Sequence, residues 1–161
     1  MSPKMTPRKK KRQGFTLIEA LVGIALVAIA VLGLAQMFTL SVMNNLRSER
    51  ITTATYLAQQ RLDALRNLTT TELNTFASTG SVDLNGDGTA DMLNDELLDI
   101  NLDAHNDYRR LTQVAVIGTT TWSAQVMIFT VEQFGVARGT LLAGPGTHRV
   151  KANLSTVISR P

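Results

Sequence analysis

Cysteine is absent from all 161 residues. That excludes a disulfide framework, a cysteine-based zinc site and a thiol nucleophile. It leaves the compartment open, because an exported domain can do without disulfides. Histidine is scarce: His105 and His148 lie far apart, and neither has a partner at ligand spacing. Both read as surface or edge-strand residues. No phosphate loop and no nucleophile motif occurs, so nothing here predicts an enzyme. Aromatics make up only 5% of the chain. Proline is missing between Pro7 and Pro145, which permits an unusually long helix.

Positive charge is also missing where the bulk composition implies it. The formal net charge is +3, yet six of the sixteen basic residues lie before Phe15. The remainder carries ten basic residues against thirteen acids. The basic character belongs to a short head, not to the body. A direct nucleic-acid partner is therefore not expected.

From Phe15 to Ala35 the only ionisable residue is Glu19. A tract of ~20 apolar residues can cross a bilayer as a helix. Lysines and arginines directly before it hold that end on the cytoplasmic side. A cleaved signal peptide has an apolar region of about 7–15 residues, shorter than this one. A carboxylate at the centre of a spanning helix costs roughly 2.5–3.5 kcal/mol, and less near an interface. Glu19 sits near one end. It either snorkels to the headgroups or finds a cation in another chain.

The run Gly14-Phe15-Thr16-Leu17-Ile18-Glu19, after a basic leader and before a long apolar tract, resembles the N-terminus of type IV prepilins and type II secretion pseudopilins. The resemblance implies cleavage between Gly14 and Phe15 by the prepilin peptidase and N-methylation of Phe15. It implies that Glu19 neutralises the terminal amine of a neighbouring pilin or pseudopilin subunit. It also implies contact with an inner-membrane assembly platform. The chemistry is consistent with this. Gly14 lets a peptidase approach the backbone. An amine and a carboxylate that are each costly alone in a low-dielectric bundle relieve one another when paired.

The periodicity then predicts an α+β fold. Ile51, Ala54, Ala58, Leu62, Leu65 and Leu68 recur every three or four residues, so the helix continues as an amphipathic half. One helix from Phe15 to Leu68 would be roughly 80 Å long at 1.5 Å per residue. Gly23 and Gly33 within it read as sites of close helix–helix packing. A helical turn is expected over Thr71–Phe76. Alternating apolar residues predict strands over Leu111–Ile117, Thr121–Glu132 and Thr147–Ser159, with a turn at Gly118. Gly135–Gly146 reads as a longer connection, and no internal repeat is found. The expected order is a leader over 1–14, a membrane or filament-core helix over 15–43, an amphipathic half over 44–68, and a head over 69–161. The head is an antiparallel sheet packed on the amphipathic half.

Asp83-Leu84-Asn85-Gly86-Asp87-Gly88-Thr89-Ala90-Asp91 has the spacing of the first nine positions of a calcium loop. Asp83, Asn85, Asp87 and Asp91 supply side-chain oxygens, and Thr89 a carbonyl. The twelfth position is Asn94, not Glu, so Asp95 or Glu96 is the expected substitute, giving a loop over 83–96. The same residue types also favour a metal-free turn. Arg109 and Arg110 are expected to offset this acidity, and Trp122 to lie in the core or at a subunit contact.

The expected function is a minor type IV pilin acting in initiation or at the tip. Tyr56 to Leu62, together with the β-type C-terminal half, looks most like PilV-type minor pilins. The alternatives are a minor pseudopilin of a type II secretion system and a membrane-anchored calcium-binding domain that never assembles. The expected location is the bacterial inner membrane, single pass, with the head outside the cytoplasm, and then the pilus or pseudopilus.

Overall fold

The computed structural model describes residues 15–160. The leader over 1–14, Gly14 included, lies outside the described residues. The chain divides into two compact units, Met1–Asn45 and Leu46–Pro161. Helix α1 runs over Leu17–Asn67, close to the expected bounds. Its start is fixed locally by Thr16, whose carbonyl accepts the N–H groups of Glu19 (3.1 Å) and Ala20 (3.2 Å).

In the first unit every described residue is exposed. This half of α1 is long and apolar enough to cross a membrane. An added Cβ at Gly23 or Gly33 would meet nothing within 4 Å, so any close packing there involves another chain.

In the second unit α1 has a buried side, formed by Ala54, Ala58, Arg61, Leu62 and Leu65. The two alanines permit close approach to what they face. Helix α2 (Thr70–Thr79) is longer than the expected turn because both its ends are capped. Thr69 and Glu72 form a reciprocal capping box, and Gly80 closes the helix at φ 77°. An added Cβ at Gly80 would lie 2.0 Å from Asn94 Nδ2, so this position needs glycine on two counts.

Two short strands, β1 (Ser81–Val82) and β2 (Met92–Leu93), pair antiparallel across the first acidic loop. The main sheet contains β3 (Asp95–Leu98), β4 (Tyr108–Gly118), β5 (Thr121–Thr130) and β6 (Ala152–Ser159). It is antiparallel throughout, in the order β3-β4-β5-β6. One face packs Trp122, Ala124, Val126 and Ile128 into a core with the buried side of α1 and with Leu73 and Phe76 of α2. Trp122 is fully buried and donates its indole N–H to Asn74 on α2 at 2.9 Å.

Two sequence expectations need correction. The 135–146 stretch is not a bare connection: it contains α3 (Arg138–Ala143), whose Leu141 is fully buried against Leu111, Met127 and Phe129. The lower part of the sheet is therefore covered on both faces. The last strand starts at Ala152, not Thr147, because the chain turns through Gly144–Val150, with Arg149 at φ 52°.

Candidate assembly and metal sites

Phe15 and Glu19 occupy the start of the exposed apolar half-helix. Phe15 is 78% exposed, and Leu17, Ile18 and Leu21 beside it are also exposed. Among the described residues Glu19 forms no salt bridge. The geometry presents one carboxylate on an apolar surface that nothing in its own unit covers.

The acidic loop 83–91 is built around its carboxylates. Asp83 accepts the N–H groups of Gly86 (2.7 Å) and Gly88 (2.8 Å) on its two oxygens. Asn85 Oδ1 accepts from Asp87 N–H at 2.9 Å, and Asp87 Oδ1 from Thr89 N–H at 2.7 Å. Asp91 closes the arc by accepting from Leu84 N–H at 2.7 Å. Gly86 and Gly88 both sit in the left-handed region, at φ 76° and 87°. Backbone N–H groups, led by Gly88, hold the Asp83 carboxyl below its ordinary range. The Thr89 hydroxyl and N–H do the same for Asp87.

Asp95 and Glu96 are not loop ligands. Both lie on β3, where successive side chains project from opposite faces of the sheet, and both are engaged by arginines. Asp95 takes a bidentate pair from Arg109, at 2.8 and 2.6 Å. Glu96 is shared by Arg61 (2.8 Å) and Arg110. Arg109 and Arg110 thus offset β3, not the loop tips. Asn94, at the twelfth place, spends its N–H on Gly80 O at 2.8 Å. Among the described residues no group of three or more His, Cys, Asp and Glu side chains gathers to hold a metal ion. His105 is exposed beside Asp103, and His148 contacts Gln133.

Sequence reasoning missed two features. One is Arg61, buried on the core side of α1 with its guanidinium 5.7 Å from the Phe76 ring centroid. It donates to Thr112 Oγ1 (3.3 Å), to Leu93 O and to Glu96. Burial lowers its pKa to about 10, opposed by Glu96, so it stays cationic at neutral pH. The other is a second acidic loop. Asp99, Asn101, Asp103 and Asp107 repeat the spacing of Asp83, Asn85, Asp87 and Asp91 sixteen residues on. Asp99 accepts from Leu102 N–H (2.8 Å) and Ala104 N–H (2.9 Å). Asn101 accepts from Asp103 N–H, Asp103 from His105 N–H, and Asp107 from Ile100 N–H. An internal repeat does exist, contrary to expectation.

The family model for the prokaryotic N-terminal methylation motif matches residues 9–35. The chain carries this motif. It supports a type IV pilin or pseudopilin family, a structural and non-catalytic group, and it covers Phe15, Glu19 and the start of the exposed half-helix. No curated protein and no solved structure matches the chain. The match joins the basic run from Lys9 to the apolar tract that ends at Ala35.

Proposed function

We propose that this chain is a minor type IV pilin. The prepilin peptidase cuts it between Gly14 and Phe15 and the new amino group on Phe15 is methylated. The chain then leaves the inner membrane for a pilus through its apolar half-helix, acting in initiation or at the tip. In this reading the leader faces the cytoplasm, the head lies outside it, and an inner-membrane platform drives the transfer. The observation that carries the reading is the methylation motif at residues 9–35 running without a break into a half-helix with no buried residue.

Glu19 is the register signal. A carboxylate inside an apolar bundle is stable only when a cation meets it, and the cleaved N-terminus of a neighbour supplies one. Subunits out of stagger leave both charges unpaired. The test is Glu19→Ala in cells. Cleavage should be retained, with a mature mass starting at methylated Phe15, while incorporation into filaments falls at least tenfold. Normal incorporation of the alanine variant, or filaments whose subunits keep residues 1–14, would end the proposal.

The loop 83–91 holds calcium in this reading, as a structural ion. Its donors are hard oxygens at alternate positions, the type that calcium selects. The bonded carboxylates keep further lone pairs for a cation. Millimolar calcium outside the cell fills even weak sites of this kind. Calcium should raise the melting temperature of the full chain in detergent micelles, and Asp87→Ala should remove the shift. An unshifted parent protein rules the ion out.

A further inference from the structure

We propose that the free edge of β6 pairs with β3 of a second copy of this chain, head to tail, joining the two sheets. The sheet ends on β3 at one side and β6 at the other. The two edges are unlike. β3 spans four residues and carries Asp95 and Glu96. β6 spans eight, Ala152–Ser159, with no charge and no proline. A long uncharged edge is the kind that proteins otherwise shorten, charge or cover, because its unpaired N–H and C=O groups template another strand. Among the described residues no further backbone hydrogen bond reaches the outer side of β6.

The hydrogen-bond phase identifies the available groups. Arg160 N–H donates to Thr120 O at 2.9 Å, so the even-numbered residues of β6 face β5. The backbone groups of Asn153, Ser155, Val157 and Ser159 therefore point outward. Thr112 N–H donates to Asn94 O at 2.9 Å, which leaves Asp95 and Leu97 of β3 pointing outward in the same way. Cross-strand partners put Val157 with Ser123, and Leu97 with Arg109 and Phe129, on one face of the sheet. Leu97 is 50% exposed and Val157 61% exposed. Setting Leu97 opposite Val157 pairs these two apolar side chains. It also brings Asp95 of one copy beside Ser159 and the Arg160 end of the other.

Topology selects the occupant. An antiparallel sheet of four strands has edges that run in opposite directions. Two copies held in the same orientation thus present β6 antiparallel to β3 without inverting either copy. The common orientation rests on the filament reading above. Pairing β6 with β6 antiparallel would require one copy to be inverted, which the common orientation does not provide.

The absence of cysteine makes the test clean. Full-length Leu97→Cys and Val157→Cys chains in detergent micelles are oxidised separately and as a mixture. An antiparallel bonded pair places Cα atoms ~5.5 Å apart, within disulfide range. Dimer should form only in the mixture, and the double variant should give a ladder. Adding Ser155→Pro, which blocks an outward N–H, should cut the Val157→Cys yield at least tenfold with the melting temperature retained. Dimer from Val157→Cys alone, or none in the mixture, overturns the proposal. The N-terminal mass is read on the same samples: lost cross-linking with a normal start at Phe15 refutes the head contact alone, whereas an uncut leader refutes the subunit reading.

Discussion

The loops 83–91 and 99–107 make the same six hydrogen bonds from unlike residues. In each, the first acid accepts from the fourth and sixth N–H groups, and the ninth accepts from the second. In each, the third residue's amide N–H₂ donates to the fifth carboxylate, at 3.1 and 3.0 Å. The fourth and sixth residues are left-handed in both. They are Gly86 and Gly88 in the first loop but Leu102 and Ala104, at φ 59° and 67°, in the second. The lesson is that Asp and Asn at positions one, three, five and nine set the backbone path. Glycine only makes that path cheaper: a residue with a side chain in the left-handed region costs roughly 1–2 kcal/mol.

The largest effect should come from removing the first acid. Asp83→Ala frees the Gly86 and Gly88 amides, and Asp99→Ala frees those of Leu102 and Ala104. Amide hydrogen exchange should reach unprotected rates in the altered loop and stay unchanged in the other. Protection that survives in either loop would mean that its backbone path is set elsewhere. A smaller effect follows from exchanging the sixth residues. Gly88→Ala should destabilise by about 1 kcal/mol, and Ala104→Gly should stabilise by about 0.5 kcal/mol in urea melts, the Gly entropy cost taking back part of the gain. Equal signs for the two would break the comparison.

Acid provides the mildest test. The folded Asp83 and Asp87 carboxyls sit below their ordinary range because backbone and hydroxyl donors favour the charged form. Their contribution is complete above the ordinary carboxylate pKa and is lost as pH falls through the lowered folded value. The Gly86 and Gly88 amide resonances should therefore hold their positions down through that ordinary range and shift only below it.

The same pair of loops shows what could be read without coordinates. The first loop was legible because its glycines advertise a turn. The second has the same Asp-x-Asn-x-Asp-x-x-x-Asp spacing, but Leu102 and Ala104 conceal it. The α1 bounds and the β4–β5 hairpin were readable from period and turn residues. Arg61 left a faint signal: it is the one cation among Ala54, Ala58, Leu62 and Leu65, a place where a charge must find partners. Those partners, Glu96 and Leu93 O, come from segments over thirty residues away, and periodicity carries no such information. The cover supplied by α3 was missed because a six-residue helix is too short to show a repeat. Phe15 and Glu19 were singled out by resemblance to the prepilin motif, and the structure adds their exposure.

The end of β6 reaches back to α1. Thr156 Oγ1 accepts from Arg66 at 3.0 Å, and Arg160 donates to the carbonyls of Arg66 and Leu68 at the end of that helix. These bonds span about ninety residues of chain. During synthesis the amphipathic half-helix is complete long before β6 is made. Until then the buried side of α1 lacks its final strand and its last-turn carbonyls lack their cap. A chain cut short before residue 152 would therefore leave the core side of α1 uncovered and the Arg66 and Leu68 carbonyls without these donors.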